Sequence, residues 1–313
     1  MTYDPTDDFL RRLMDGDPRL GILADAPPQH RKRMATALLM ERESAQDADM
    51  LGYQARLLVQ CSLPYRQQPT NEWTRRNGGI TLTLMAPSAI GLPYGAYPRL
   101  ILTWAATEAV RTQSRVLDIH QSLTRFMANL GIAPHANGRE IRRFKEQTRR
   151  LFATTVSTSL TDDSRQVHDM GFRLASELRM WWEPIMETAA DSSRIVLSHE
   201  FFQVITDGAV PLDLRAIKVL KGSALALDIY NWLVHRLSYL KKPTTIPWEL
   251  LQVQFGGEYA NNKSGRYNFK MDFQHQLEAV LQIYPEAKVT ADQQQGLILA
   301  PSRLAIGRRR EWE

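Results

Sequence analysis

Cationic side chains are concentrated in residues 139–152, and their chemistry is the binding of anions. The cations of this segment are Arg139, Arg142, Arg143, Lys145, Arg149 and Arg150. At helical spacing Ile141, Phe144, Thr148, Leu151 and Phe152 share one face, and the cations project from the other faces. An apolar face anchors such a helix, while Arg and Lys reach phosphates and the N7 and O6 atoms of guanine. The pattern favours a DNA-contacting helix, and a solvated basic face is the alternative.

A second helix, predicted over residues 266–283, is rich in amides. Its periodicity buries Phe269, Phe273, Leu277 and Val280. The side chains left exposed are Arg266, Asn268, Lys270, Gln274 and His275. Asn and Gln match the N6 and N7 atoms of adenine, so this helix is the candidate for sequence readout. The preceding turn adds Asn262, Lys263 and Ser264 as DNA-binding candidates. An ordinary amphipathic helix with polar solvent-facing residues is the alternative.

Residues 257–264 differ from a phosphate-binding P-loop only at Asn262, where the motif requires glycine. Only about fifty residues follow, too few for the parallel sheet and acidic magnesium-binding strand of a nucleotide hydrolase. We therefore assign Lys263 to a DNA phosphate.

Other catalytic patterns are missing from the sequence. The seven histidines show no metal-ligand spacing and no His-x-His pair of the kind that rolling-circle nickases use. There is no Gly-x-Ser-x-Gly elbow, HExxH or dinucleotide fingerprint. We expect no catalytic residues, no metal site and no cofactor, and thus a protein that is not an enzyme.

Composition limits the class of protein. The 313 residues include 43% hydrophobic residues, enough for two or three domains, and the net charge of +5 permits an anionic partner. The single cysteine, Cys61, excludes a disulfide within the chain. The sequence begins without a classical signal peptide and has no apolar run that could span a membrane, so we expect a cytoplasmic protein without a membrane partner.

The predicted elements recur in the same order twice. Residues 30–51 suggest a helix, and residues 54–65 and 80–85 suggest an antiparallel strand pair. Next comes a helix that begins near Pro98, followed by a strand at 116–119. A helix that ends at Gly131 and then the basic helix complete the series. Strands at 154–160 and 172–182, joined by a turn at 161–164, would complete a winged helix.

The second series starts with a helix over 223–240, and continues with a strand and helix at 244–251. The helix at 244–251 ends at Gly256. It is followed by the amide-rich helix and by a hairpin in which residues 287–290 pair with residues 297–300. At an offset of about 125 residues, Gly131 aligns with Gly256, and Phe144-Lys145 with Phe269-Lys270. Wings would lie near residues 161–165 and 291–295.

These elements predict an α+β fold of tandem winged-helix domains (helix-turn-helix plus β-hairpin wing), with an N-terminal helix and β-hairpin extension. Residues 1–29 would form a flexible arm, 30–205 the N-terminal domain with its extension, 206–302 the C-terminal domain and 303–313 a basic tail.

Four segments carry a family resemblance. They are residues 92–100 (LPYGAYPRL), 104–112 (WAATEAVRT), 122–127 (SLTRFM) and 147–152 (QTRRLF). In this order they closely resemble the plasmid-encoded RepA-type replication initiators, over roughly residues 90–300. The loop at 135–138 departs from the Gly-Gly form usual in that family.

The resemblance implies a protein of the bacterial cytoplasm that binds iterons, repeated double-stranded DNA sites at a plasmid origin. It implies opening of an adjacent AT-rich region, recruitment of the host initiator and replicative helicase, a monomer–dimer equilibrium and repression of its own gene. By analogy the first winged helix would mediate dimerisation and backbone contacts, and the second would read bases. A winged-helix repressor without a replication role is the alternative, and a nickase or NTP hydrolase is a third, remote one.

Overall fold

The computed structural model describes residues 27–119, 122–132, 137–161, 167–179 and 193–307. These residues form ten helices and twelve strands, and every strand pairing among them is antiparallel. This confirms the α+β class. The predicted arm at 1–29 lies outside the described residues except for its last three, and the predicted tail except for residues 303–307.

The N-terminal extension precedes the first helix-turn-helix. Its elements are α1 (Pro28–Arg42), β1 (Leu51–Ala55), α2 (Arg56–Gln60), β2 (Glu72–Asn77) and β3 (Ile80–Met85). Strands β2 and β3 form a hairpin around Gly78, whose φ of +58° suits glycine. The predicted pairing of 54–65 with 80–85 was wrong, because residues 56–60 are helical and β1 pairs elsewhere. Short apolar runs of this kind fit either a strand or a buried helix.

Three helices and a strand follow in the predicted order. They are α3 (Ala96–Thr112), β4 (Val116–Ile119), α4 (Leu123–Asn129) and α5 (Gly138–Ala153). Pro98 lies in the first turn of α3, and the Ser122 hydroxyl accepts a hydrogen bond from the Arg125 amide at the start of α4. Gly131 has a φ of +78°, the left-handed conformation in which a helix commonly ends.

The strands after α5 are arranged differently from the prediction. They are β5 (Thr155–Thr161), β6 (Val167–Arg173), β7 (Ala175–Arg179) and β8 (Ser193–Leu197). Strands β5 and β6 extend the first hairpin into a sheet of order β2-β3-β5-β6, whereas β7 and β8 join β4 in a sheet of order β4-β8-β7. A hairpin follows α5 as predicted, but its second strand is β6 and not residues 172–182. Its predicted role as the wing was wrong, because it joins the first sheet and the wing strands are β7 and β8. Residues 162–165 of the predicted wing lie outside the described part of the chain.

The second unit has the predicted order of helices and strands. A connection of α6 (His199–Thr206), β9 (Ala209–Asp213) and α7 (Leu214–Leu220) leads into α8 (Ala224–Ser238), β10 (Thr244–Ile246), α9 (Trp248–Phe255), α10 (Lys263–Leu281), β11 (Val289–Asp292) and β12 (Gly296–Leu299). Its sheet order, β10-β12-β11, repeats the order β4-β8-β7 of the first unit. The tandem winged-helix architecture is confirmed.

The residues aligned by the repeat are equivalent in the fold. Phe144 of α5 and Phe269 of α10 are both fully buried, each on the third helix of its unit. Strand β1 of the extension pairs with β9, register Leu51 with Asp213, so backbone hydrogen bonds cross the expected boundary at 205/206. The boundary itself stays a prediction.

Candidate DNA-binding surface

Helix α5 begins at a rigid cap. The Asn137 side chain accepts hydrogen bonds from the amides of Arg139 (3.1 Å) and Glu140 (3.0 Å). The Glu140 carboxylate accepts in return from the Asn137 amide at 3.2 Å. This capping box satisfies amides that the helix geometry leaves without partners, and it fixes where the helix begins.

The apolar face of α5 is held by aromatic contacts and by one buried amide. Phe144 meets the rings of Tyr97 and Phe126 edge-on, with centroids 5.8 and 5.9 Å away. The Gln147 side chain is fully buried, and its oxygen accepts from the Tyr94 amide at 2.8 Å. The face predicted from periodicity is the face that packs, so the orientation of α5 is fixed.

Four of the six predicted cations of α5 are exposed: Arg139, Arg142, Arg143 and Arg149. The Lys145 side chain is half-buried and has an interaction partner within the protein. The exposed guanidinium groups project from a helix that a cap and a packed core hold in place, which suits contact with a polyanion.

Arg150 has a different environment. Its side chain is 13% exposed and forms an ion pair with Glu146 at 2.6 Å. A nitrogen of its guanidinium donates to the Leu92 carbonyl at 3.1 Å, and the group lies 5.5 Å from the Tyr94 ring centroid. Arg150 thus holds the 92–94 segment on α5, and a DNA contact at this residue stays a prediction.

Helix α10 also starts at an asparagine cap. The Asn262 side chain accepts from the Gly265 amide at 2.8 Å. A Cβ atom at Gly265 would lie 1.9 Å from the Ala260 carbonyl oxygen, so the turn requires glycine. The side chain of Asn262, a predicted DNA contact, is thus used to begin the helix. Residues 257–264 follow a helix and not a strand, which contradicts the P-loop alternative.

The buried face of α10 is the one predicted, with Phe269, Phe273, Leu277 and Val280 in the core. Phe273 lies 5.5 Å from Phe255 and 5.6 Å from Phe269, measured between ring centroids. This aromatic cluster anchors α10 to α9. The two form a helix-turn-helix in which α10 is the second helix.

The outward face of α10 carries the remaining candidates. Lys263, Ser264, Arg266, Asn268 and His275 are exposed, and Gln274 is half-exposed. Sequence reasoning missed Tyr267 and Met271, which are 63% and 50% exposed on the same helix. Periodicity placed both off the core face, but it gave no reason to single out an exposed apolar side chain.

Lys270 has two partners within the protein. Its ammonium donates to the Gln293 carbonyl and lies 5.0 Å from the Trp248 ring centroid. The side chain joins α10 to the hairpin β11–β12 and to the start of α9, and a DNA contact at Lys270 stays a prediction.

A buried ion pair connects the two units. Arg99 of α3 donates to both carboxylate oxygens of Asp228 in α8, at 2.8 and 2.7 Å. It also donates to the carbonyls of Leu63 and Gly95, each at 2.7 Å. Burial alone lowers the pKa of Arg99, but Asp228 more than offsets it and the pKa is raised. Arg99 therefore stays charged and fixes α3 against α8.

A second junction holds the turn between α9 and α10. The Glu258 carboxylate accepts from the amides of Tyr65 (2.6 Å) and Arg66 (3.3 Å) and from the Gln68 side chain (3.1 Å). Nearby, Arg75 is buried and donates to the Val253 carbonyl at 3.4 Å. Burial lowers the pKa of Arg75, although Tyr65 and Glu258 act against this. The extension thus holds the second helix-turn-helix directly.

Within the described residues, no group of three or more His, Cys, Asp and Glu side chains is placed to hold a metal ion. In the same part of the chain, no helix has the length and apolar character needed to cross a bilayer.

Two crystal structures of domains 2 and 3 of RctB, one of them of selenomethionine derivatives, are similar to this chain. The selenomethionine structure has a TM-score of 0.49 at 10% sequence identity, and the match covers 78% of this chain and 95% of that one. The other has a TM-score of 0.48 at 10% identity, covering 77% and 94%.

No curated protein matches the chain. The model of one protein family, described as "Plasmid encoded RepA protein", matches residues 92–249. The match includes α3, the capped basic helix α5 and the Arg99–Asp228 junction, and it spans half of the 313-residue chain. The chain therefore belongs to the family of plasmid-encoded RepA proteins.

Proposed function

We propose that this protein initiates plasmid replication by binding iterons, repeated double-stranded DNA sites at the plasmid origin, without performing catalysis. The observation that carries the proposal is the repeated unit. Each of its two copies presents a capped third helix whose outer face is cationic or amide-rich, in a chain of the RepA family. In a helix-turn-helix this is the helix that enters the major groove.

Helix α5 supplies affinity. Arg139, Arg142, Arg143 and Arg149 meet phosphates, since all four guanidinium groups are exposed on one helix and each can pair with a phosphate oxygen. Such contacts release counterions, so binding weakens steeply as salt rises. They position the protein but carry no sequence information by themselves.

Helix α10 supplies specificity. Asn268 reads adenine, Arg266 reads guanine or holds a phosphate, and Lys263 and Ser264 contact the backbone beside the first turn of the helix. The exposed side chains of Tyr267 and Met271 offer apolar contacts to thymine methyl groups. Gln274 lies farther along the same helix and extends the readout.

Binding at iterons then leads to opening of an AT-rich region and to recruitment of the host initiator and helicase. The same protein represses its own gene as a dimer and acts at the origin as a monomer. These steps place it in the cytoplasm of the bacterium that carries the plasmid. They follow from the family resemblance, and sedimentation of the free and DNA-bound protein tests the change from dimer to monomer.

A plasmid that carries only this gene and its flanking DNA tests the initiator role. The proposal expects the plasmid to replicate, and to be lost when Asn268→Ala replaces the wild-type gene. Asn71→Ala is the matched control, because Asn71 is an exposed amide outside both helix-turn-helix units. Failure to replicate combined with repression of the flanking promoter would favour the repressor alternative.

Supercoiled plasmid DNA with ATP and a divalent cation tests for catalysis. The proposal expects neither nicked circles nor released phosphate. Either product, if abolished in a DNA-binding variant and not in Asn71→Ala, would overturn the non-enzymatic part of the proposal.

A further inference from the structure

The hairpin β11–β12, here called the second wing (residues 289–299), has three consecutive glutamines between its two strands. Gln293, Gln294 and Gln295 are all exposed at its turn. These side chains belong to neither α5 nor α10, and because they are exposed they do not contribute to the core. Their position depends on how the wing is held.

Four hydrogen bonds hold the turn: one from α10, one from α9 and two within the turn itself. Lys270 of α10 donates to the Gln293 carbonyl, and the Trp248 ring nitrogen donates to the Asp292 carbonyl at 2.8 Å. The Asp292 carboxylate accepts from the amides of Gln294 (2.8 Å) and Gln295 (2.7 Å). The backbone of the turn is thus set before any ligand arrives, and the amide side chains are left free to bind.

The position of Lys270 locates the wing relative to the DNA. Lys270 lies one helical turn from Arg266 and from Gln274, on the flank of the reading face. A helix fills the major groove, about 12 Å wide, and a hairpin held on its flank crosses the sugar-phosphate backbone. The next opening along the duplex is the minor groove, about 6 Å wide, which admits a turn of extended side chains.

The charge of the wing favours base edges over phosphates. Its turn includes the acidic Asp292, and the ammonium group of Lys270 beside the turn is already bonded to the Gln293 carbonyl. Glutamine amides donate to the N3 atom of adenine and the O2 atom of thymine, whereas the guanine N2 amino group occupies that space in a G·C pair.

We infer that the glutamines of the second wing read A·T base pairs in the minor groove beside the bases read by α10. This rests on the proposed function, because it takes α10 to lie in the major groove. The consequence is that the recognition site extends past the major-groove contacts into an A·T-rich flank.

Inosine separates minor-groove from major-groove readout, since an I·C pair presents the minor groove of A·T and the major groove of G·C. The probes are labelled duplexes that contain one repeat protected in a footprint of the DNA flanking the gene. Blocks of A·T, G·C or I·C pairs are placed at either end of the repeat. The wild-type protein is expected to bind the A·T and I·C probes alike, and the G·C probe about fivefold more weakly.

Replacing all three glutamines with alanine is expected to make the three probes equal and to leave the salt dependence unchanged, because no phosphate contact is lost. The matched control is Gln203→Ala, an exposed glutamine on α6, which should keep the wild-type order of probes. Circular dichroism verifies that both variants fold.

Each result decides the inference. Specific binding of the repeat with equal affinity for A·T and G·C flanks would overturn the inference and leave the proposed function intact. An I·C probe that behaves like the G·C probe would assign the flank to the major groove and overturn it as well. Absence of preference for any repeat over random DNA would overturn both.

Discussion

At the scale of single residues, the proposed function gives the exposed arginines of α5 and the amide of Asn268 different tasks. A guanidinium that meets a phosphate contributes equally on every sequence, whereas an amide bonded to a base edge contributes on one. The proposed division rests on composition: α5 exposes four arginines, whereas α10 exposes amide, hydroxyl and apolar groups beside the two cations Lys263 and Arg266.

Replacing Arg142 and Arg143 together with alanine should weaken binding to the cognate repeat and to random duplex by the same factor. The logarithmic salt slope should fall by about 2, since each lost phosphate contact removes about 0.9. Fluorescence anisotropy across a salt series measures both quantities.

Lys241 and Lys242 provide the matched control for this double change. They are exposed and precede β10, whose Thr244 pairs with Leu299 at the end of the sheet away from the wing turn. Their replacement removes the same charge and should leave the slope near its wild-type value. An equal fall in slope would assign the salt dependence to net charge and not to α5.

Asn268→Ala should weaken binding to the cognate repeat by about 1–3 kcal/mol and change binding to random DNA little. The same anisotropy assay measures it, with Asn71→Ala as the control. Loss of the same size on both duplexes would contradict base readout by Asn268.

Periodicity in the sequence was sufficient to identify which residues of α5 and α10 face outward, because helical spacing alone sets that. It was not sufficient for Arg150 and Lys270, whose side chains are taken up by Leu92, Glu146 and Gln293. Glu146 is a neighbour on the same helix, but Leu92 and Gln293 are 58 and 23 residues away from their partners, and only the folded chain brings them within reach.

The reactivity of Cys61, a free and fully buried cysteine, indicates whether the core around it is folded. Burial raises the pKa of its thiol to about 12, and the positive charge of Arg75 only partly opposes this. Because the folded state favours the protonated thiol, the associated stability is present below the ordinary thiol pKa and is lost as the pH rises from about 9 towards 12.

Alkylation of native Cys61 at about pH 8 should therefore be far slower than alkylation of the unfolded chain. Mass spectrometry after iodoacetamide treatment, with and without denaturant, measures the ratio. Equal rates in the two states would show that the thiol is accessible in the native protein.

At the scale of elements, α3 and α8 are joined by the ion pair of Arg99 and Asp228, whose side chains are 4% and 9% exposed. Removing one member of such a pair leaves the other charge buried without compensation. Both residues lie within the 92–249 match to the RepA family.

Asp228→Asn should lower the free energy of unfolding by about 3–5 kcal/mol. The control is Asp118→Asn, which breaks a partly exposed pair with Arg194 and should cost under about 1 kcal/mol. Urea denaturation followed by tryptophan fluorescence measures both variants. A cost for Asp228→Asn as small as that of the control would contradict a structural role for the junction.

The positions of several strands could be predicted from the sequence, but their pairing could not. Alternation identified β3, β5 and part of β6 as strands, because every second residue faces the core. Strand pairing depends on contacts that are distant in the sequence, and β5 pairs with β3 across some 75 residues. In the second unit the wing follows α10 directly, so the helix, turn and hairpin could be predicted as a series.

At the scale of the whole molecule, the proposed function requires the two units to act as one DNA-binding surface. Arg99, Glu258 and Arg75 hold the second helix-turn-helix against α3 and the extension. A protein with two fixed reading helices engages both at once, so the second contact costs little further entropy. The tandem repeat thereby converts two modest interfaces into one specific site.

Anisotropy of the purified protein on labelled duplexes from the DNA flanking its own gene, compared with a random duplex across a salt series, tests the central claim most directly. The account predicts a cognate preference of at least about a hundredfold, or about 2.7 kcal/mol, that persists as salt rises. If every duplex bound with the same affinity and was released at the same salt, sequence readout by α10 would be contradicted, and with it the assignment of this protein to iterons.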